Sequence, residues 1–258
     1  IKTKGDAQCW GDNNNGQAPP AGVTGPFTQI VAGTIHTCAI KTNGNAQCWG
    51  MNSHGQAPPA GVTGPFTKIA TGLFHTCALK ANGDAQCWGD NSSGPGEAPP
   101  AGVTGPFTQI SAGTYYTCAL KTNGDVQCWG RNDYGQAPPA GVTGPFTQIE
   151  AGYVNACALK SNGDGQCWGT NSYGQSPPAG FTGPFTQIKA GNLHTCGLQA
   201  NGAVKCWGWN NNGQAPASLV MGPFAYLGVG DSHSCAIRKP ARPAGDIACW
   251  GDNADGQA

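Results

Sequence analysis

The sequence predicts an all-β protein, a seven-bladed β-propeller, and three observations predict it. The tripeptide Cys-Trp-Gly begins at Cys9, Cys48, Cys87, Cys128, Cys167, Cys206 and Cys249, at spacings of 39, 39, 41, 39, 39 and 43 residues. A period near 40 with several short strands per unit marks a closed or stacked repeat fold. No window sustains the period of an amphipathic helix, and Gly and Pro return every few positions. Each unit holds three short apolar runs separated by turn residues, so it reads as a small antiparallel sheet, and such sheets at this period assemble radially.

The unit at residues 98–136, APPAGVTGPFTQISAGTYYTCALKTNGDVQCWGRNDYGQ, gives the elements in order. Residues 107–110 read as a first strand, 116–121 as a second and 126–129 as a third, with Gln-Ala-Pro-Pro supplying a short fourth. The hairpin between the second and third strands has a readable register. Cys38 and Cys48 stand ten apart, centred on residue 43, so they face each other across Thr42-Asn43-Gly44. A three-residue hairpin loop places its last residue in the left-handed region, where Gly costs least; Gly44, Gly83, Gly124, Gly163 and Gly202 hold that place. Residues 1–258 thus read as one domain, with repeats at approximately 1–18, 19–57, 58–97, 98–137, 138–176, 177–215 and 216–258.

The same register pairs Cys38 with Cys48, Cys77 with Cys87, Cys118 with Cys128, Cys157 with Cys167, Cys196 with Cys206 and Cys235 with Cys249. The last hairpin is four residues longer, around Arg238 to Asp246. Zinc sites use Cys-x-x-Cys knuckles, which the sequence lacks, whereas cross-strand disulfides fit the register. Closing a loop of this size stabilises each hairpin by about 2–3 kcal/mol. Disulfides place the chain in an oxidising compartment, extracellular or on a cell surface. Cys9 has no partner: Ile1 to Cys9 aligns with Ile40 to Cys48, which puts the partner two residues before Ile1. Seven complete units need 21 residues more than the 258 present, the length of Pro19 to Ala39. One blade is therefore expected to be incomplete in this chain, its other half lying before Ile1 or after Ala258.

Charge narrows the function. The 13 basic and 13 acidic side chains cancel, which argues against a nucleic-acid partner, since such a partner selects a basic surface. Eight Trp, eight Phe, six Tyr and 13 Cys provide a core that a disordered, Gly- and Pro-rich chain would lack. No apolar run approaches the roughly 18–20 residues of a membrane helix, so no membrane insertion is expected. Catalytic signatures are missing as well. There is no Gly-x-Ser-x-Gly elbow and no glycine loop leading a strand into a helix, and neither an enzyme nor a cofactor is expected.

His36, His75, His194 and His233 share one place in the repeat, filled elsewhere by Tyr116 and Asn155. A metal ring or a catalytic base would not survive that exchange, so a structural hydrogen bond at the inner end of the blade is expected. Asp12 to Gly16 and Asp252 to Gly256 lack the closing glutamate of a calcium loop and read as Asx turns; no metal site is expected. The seven Trp of Cys-Trp-Gly recur with the period and read as core between blades.

Segments such as HTCALKANGDAQCWGDNSSG, residues 75–94, resemble the repeats of the regulator of chromosome condensation family, whose pattern AGxxHxxALxxxGxVxxWGxNxxGQ covers essentially the whole chain. The resemblance implies a seven-bladed β-propeller, and the paired cysteines are similar to those of secreted bacterial members. The family includes a nucleotide-exchange factor for a nuclear GTPase and a secreted inhibitor of β-lactamase. Fold alone transfers neither role.

Comparing the repeats with one another locates candidate contacts. In an up-and-down blade the first and third turns share one face, and the second turn and the linker share the other. The second turn barely varies, and APPAGVTGPF recurs four times in the linker. By contrast, the residues after Trp-Gly are Asp12, Met51, Asp90, Arg131, Thr170, Trp209 and Asp252, and three positions later stand Asn15, His54, Ser93, Tyr134, Tyr173, Asn212 and Asp255. Candidate ligand-binding residues are Phe74, Tyr115, Tyr116, Arg131, Tyr134, Tyr153, Tyr173 and Trp209, the vocabulary of rigid aromatic anchors among polar groups. The expected function is extracellular recognition or adhesion, with a surface protein or glycan as partner. An inhibitor-type propeller and a passive spacer domain are the other readings.

Overall fold

The computed structural model describes the whole chain except residues 93–96, 100, 178, 240–245, 255 and 257–258. The readings at Ser93, at Asp255 and in most of the long hairpin after Arg238 fall outside the described residues. The chain divides into two compact units, Ile1–Asn132 with Ala137–Val142 and Asp133–Gln136 with Thr143–Ala258.

Among the described residues there is no helix, and the strands fall into six three-stranded antiparallel sheets. Unit 1 holds β1 Phe27–Ala32, β2 His36–Lys41 and β3 Ala46–Gly50, then β4 Phe66–Thr71, β5 His75–Lys80 and β6 Ala85–Gly89, then β7 Phe107–Ala112, β8 Tyr116–Lys121 and β9 Val126–Gly130. Unit 2 holds β10 Phe146–Ala151, β11 Asn155–Lys160 and β12 Gly165–Gly169, then β13 Phe185–Ala190, β14 His194–Gln199 and β15 Val204–Gly208, then β16 Phe224–Val229, β17 His233–Arg238 and β18 Ile247–Gly251. The sequence predicts seven such sheets and six are seen. Among the described residues, the segment around Cys9 pairs only through the single bridge of Ala7 with Val23, and Cys9 is a free cysteine.

The expected fourth strand lies elsewhere than Gln-Ala-Pro-Pro. The linker residues Val62, Val103, Val142, Phe181 and Val220 each make an isolated antiparallel bridge to the third strand of the preceding sheet, and Val23 makes the same bridge to Ala7, which lies in no strand. Proline cannot donate to a ladder, so the pairing moves past the Pro pair to the next β-branched or aromatic residue.

The predicted hairpin register is observed. Cys38 pairs with Cys48 across β2 and β3, and the other five cysteine pairs stand opposite in the same way. All six are disulfides, with Cα atoms 4.0 to 4.1 Å apart, the close spacing of a non-hydrogen-bonded antiparallel pair. Gly44, Gly83, Gly124, Gly163 and Gly202 close the hairpins at positive φ of 82° to 87°.

The core lies between successive sheets of a unit. The Cys38–Cys48 bridge, Ile40 and Ala46 of one sheet pack on Phe66, Ile69 and Ala78 of the next, with Trp88 beside them. Cys77, Leu79 and Cys87 meet Phe107, Ile110 and Ala119 likewise, and in unit 2 Cys196, Leu198 and Cys206 meet Phe224, Leu227 and Ala236. The tryptophans of Cys-Trp-Gly close these layers, Trp49 on Phe27 at 6.0 Å and Trp88 on Phe66 at 5.8 Å between ring centroids. Trp10, in the segment without a sheet, is instead 70% exposed.

Candidate functional site

An up-and-down sheet brings its first turn and the loop after its third strand to one edge. A backbone bond then ties them together. The N–H of the residue after Trp-Gly donates to the carbonyl of the residue before the His place: Asp90 to Phe74, Arg131 to Tyr115, Thr170 to Val154, Trp209 to Leu193, at 2.8 to 2.9 Å. Each variable residue of the third turn is thereby held against a variable residue of the first. The expectation that these turns share an edge holds in every sheet of both units.

The loop after each Trp-Gly is framed by its constant residues. Asn132 Oδ1 accepts the N–H of Ala137, and the equivalent Asn52, Asn171 and Asn210 do the same, at 2.8 Å. The buried Gln136 accepts the Tyr134 N–H at 2.9 Å, as Gln56, Gln175 and Gln214 accept those of His54, Tyr173 and Asn212. The backbone carbonyl of the same Gln accepts the indole N–H of a tryptophan, Trp88 on Gln56 and Trp207 on Gln175, at 3.1 Å. Asn and Gln are thus consumed by the frame, and the residues between them are displayed.

In unit 1 the displayed side chains form a continuous row across three successive repeats. His54 stacks on Phe74 at 4.7 Å, Phe74 on Tyr115 at 6.0 Å, and the Arg131 guanidinium lies over the Tyr115 ring at 5.6 Å. In unit 2 Tyr173 meets Trp209 at 6.4 Å. Tyr134, Tyr153 and Tyr173 are exposed at 54%, 40% and 52%.

Tyr116 is a correction. It opens β8 at the place held elsewhere by His36, His75 and His194, and it is fully buried. A side chain there points to the sheet interior and touches no ligand; the neighbouring Tyr115 is the one displayed. His54 was absent from the candidate residues, although it stands three positions after Met51, where Tyr134 and Tyr173 stand in their repeats.

Three of the four histidines, His36, His75 and His194, make the structural hydrogen bond expected of them. His36 Nε2 lies 2.8 Å from Thr76 Oγ1, His75 Nε2 2.8 Å from Thr117 Oγ1, and His194 Nε2 2.9 Å from Ser234 Oγ, each in the next sheet. Thr76 itself donates to the Gln56 carbonyl at 3.0 Å, so His36 must be the donor to Thr76, through Nε2–H. The His36, His75 and His194 Nδ1 atoms are buried without a partner. Burial pushes these three imidazoles down to about 4, which keeps them neutral at physiological pH. Among the described residues no group of three or more His, Cys, Asp or Glu could hold a metal ion.

One repeat breaks the frame. Glu97 stands where Gln17, Gln56, Gln136, Gln175 and Gln214 stand, and it is buried with both carboxylate oxygens unpartnered. Burial pushes its carboxyl up to about 7, the Asp90 charge adds to the rise, and Arg131 opposes it.

The sequence profile described as the regulator of chromosome condensation (RCC1) repeat matches residues 27–56, 66–94, 107–136, 146–175 and 185–214, more than half of the chain. Among solved structures, the ectodomain of the Physcomitrella patens receptor kinase CR4 is similar at 27% identity and a TM-score of 0.72, over 95% of this chain and 66% of that one. The CRINKLY WD40 ectodomain of the Arabidopsis thaliana receptor kinase ACR4 follows at 23% identity and 0.71, over 95% and 86%. Prp20p of Saccharomyces cerevisiae, described with its binding to Gsp1p and histones, is similar at 18% identity and 0.74, over 97% and 82%. The last two speak for the fold alone. This chain spans just under two thirds of the moss ectodomain's length. No curated protein sequence matches it.

Proposed function

The chain belongs to the regulator of chromosome condensation (RCC1) repeat family, and on that premise we propose that it is a non-catalytic, extracellular recognition module of a seven-bladed propeller. It engages a macromolecular partner through the sheet edges that carry the Ala-Gly and Trp-Gly turns. The observation that carries this reading is the row His54, Phe74, Tyr115 and Arg131, with the Tyr173–Trp209 pair, displayed on a frame that does not need them. Stiff aromatic rings with few rotatable bonds lose little entropy on contact and recur as binding anchors. Six disulfides fit an oxidising, extracellular setting, and the ectodomain likeness points the same way.

A protein surface suits these edges better than a repeated glycan. A multivalent lectin keeps one pocket in every blade, and here each repeat displays different side chains. The experiment is a glycan array run beside capture from cell-surface extracts, with the wild-type chain and with Tyr115→Ala/Arg131→Ala and Tyr173→Ala/Trp209→Ala variants. A protein captured by the wild type and lost from either variant supports the reading. A specific glycan signal lost from the same variants makes the module a lectin. Binding that survives both variants, or is lost only on changes at the Asn-Gly turns, overturns it.

A further inference from the structure

A backbone bond closes each hairpin turn and sets its two flanking residues opposite each other. The N–H groups of Lys2, Lys80, Lys121 and Lys160 donate to the carbonyls of Asp6, Asp84, Asp125 and Asp164 at 2.7 to 2.8 Å, and Arg238 donates to Asp246 at 3.0 Å. In each of these hairpins a cation stands opposite a carboxylate. One hairpin differs: Lys41 N–H donates to the Asn45 carbonyl at 2.9 Å, with an amide where the others carry an acid. Asn45 Oδ1 still accepts the linker N–H of Gly64 at 3.0 Å, as Asp84 Oδ1 accepts that of Gly105 at 2.8 Å. The exchange keeps the scaffold bond and removes only the charge.

Beside this hairpin lies a cleft of about 230 Å³, whose lining includes Lys41, Asn45, Gln47 and Thr63 together with Pro59 and Ala60. Among the described residues the side chains of Lys41, Gln47 and Thr63 have no hydrogen-bond or ionic partner. The cleft thus offers one uncompensated ammonium beside neutral amides and a hydroxyl. We propose that it binds an acidic sugar, a hexuronate unit, with Lys41 on the carboxylate and Asn45, Gln47 and Thr63 on the ring hydroxyls. One lysine balances one carboxylate, whereas a phosphate monoester would bring nearly two charges against it. Amide and hydroxyl side chains both donate and accept, as ring hydroxyls require; the carboxylates of an acidic peptide would only accept. The volume is several times that of a water, which suits a sugar ring better than a lone ion. The site lies at the Asn-Gly edge and does not rest on the aromatic row.

The test follows the backbone amide signals of Asn45, Gln47 and Thr63 by NMR in the full chain as glucuronate is added to about 50 mM at low salt. Saturable shifts are expected with a Kd of roughly 1–10 mM, the strength of a single exposed charge contact, and they should fade as sodium chloride is raised. Glucose should bind at least tenfold more weakly. The next hairpin is the internal control: Asp84, Gln86 and Thr104 hold the same places with the acid present, and their signals should stay still. Asn45→Asp restores that acid and should fold as the Asp84 hairpin does, with glucuronate binding reduced tenfold or more; Lys41→Gln should lose as much. No saturable shift in the wild type, or equal shifts in Asn45→Asp, overturns the proposal. So does a tri-glutamate peptide that binds as tightly as glucuronate. Shifts at Tyr115 and Arg131 alone would place the sugar on the aromatic row and overturn it too.

Discussion

In the first five sheets the Asn of the Asn-Gly turn accepts the backbone N–H two residues on; at the Trp-Gly edge the frame uses two residues per loop and leaves the rest displayed. In the second hairpin turn Asn82 Oδ1 accepts the Asp84 N–H at 3.1 Å and Asn82 Nδ2 donates to Asp84 Oδ2 at 2.7 Å. Asp84 Oδ1 then accepts the linker N–H of Gly105 at 2.8 Å, and Phe107 N–H donates to the Gly83 carbonyl at 2.9 Å. Turn and linker are one bonded unit. Their constancy from repeat to repeat is explained by those bonds and lends nothing to the case for binding at the opposite edge. That case rests on what the opposite edge displays: aromatic rings and one guanidinium in contact across neighbouring repeats, where any polar residue would satisfy the loop.

The largest effect is expected from the bridges that hold both edges in register. Reducing all six disulfides should unfold the chain at ordinary temperature, and losing one, as in Cys118→Ala/Cys128→Ala, should cost about 2–3 kcal/mol. Thiol labelling of the denatured, unreduced protein should detect Cys9 alone, the one free cysteine. Labelling of further thiols would remove the argument for an oxidising compartment.

Next come two glycines that oppose the edges directly. A Cβ on Gly105 would run into the Gly83 carbonyl and the Phe107 amide, both backbone and both fixed. Gly105→Ala should therefore cost about 2–4 kcal/mol in denaturant unfolding. Gly135, in the loop that displays Tyr134, has φ +75° but nothing within 4 Å of an added Cβ. Gly135→Ala should cost only the left-handed penalty of about 1–2 kcal/mol. Equal costs would mean that the two edges are equally constrained, and the comparison would fail.

Protonation separates the edges a third way. His36, His75 and His194 stand at the base of the Trp-Gly edge, and their folded-state values near 4 lie below the ordinary 6.5. Their contribution is full above 6.5 and is lost as pH falls toward 4, because the unfolded chain takes up the protons first. Glu97 has the opposite sign: raised from 4.5 to about 7, it contributes most below 4.5 and loses that contribution as pH rises to 7. Stability should climb from about pH 4.5 to 6.5 on the strength of three histidines against one glutamate. His75→Asn, which places at this site the residue that Asn155 already provides, should flatten the acid limb by roughly 1–2 kcal/mol at pH 5. An unchanged acid limb would show that the buried imidazole does not govern it.

Much of this was visible in the chain itself. The ten-residue spacing of five of the six cysteine pairs about an Asn-Gly turn fixes a hairpin register, and the observed pairing follows it. Period alone could not show that the linker valine, rather than Gln-Ala-Pro-Pro, makes the fourth contact, since that depends on which backbone N–H is left to pair. Tyr115 and Tyr116 are adjacent and chemically identical in sequence; only the strand start separates the displayed ring from the buried one. Glu97 was the least readable. Its difference from glutamine is one atom, and its consequence appears only in the fold, where both of its carboxylate oxygens and the Trp129 indole N–H are buried without a partner.

The smallest effect on stability should accompany the largest effect on binding. Tyr173 is half exposed, and its side chain contributes to the loop only the ring contact with Trp209; the bond to Gln175 is made by its backbone N–H and survives truncation. Tyr173→Ala should therefore leave unfolding within about 0.5 kcal/mol of the wild type. Against a captured partner the same change should cost tenfold or more in affinity, because a rigid ring that the frame does not need loses little entropy when a partner covers it. Gln175→Ala inverts the pattern: it removes the acceptor for the Tyr173 N–H, so stability should fall while the ring remains present but unfixed. Measuring both variants by denaturant unfolding and by equilibrium binding separates a displayed anchor from a structural residue. A Tyr173→Ala chain that is destabilised as much as Gln175→Ala would return the aromatic residues of unit 2 to the scaffold.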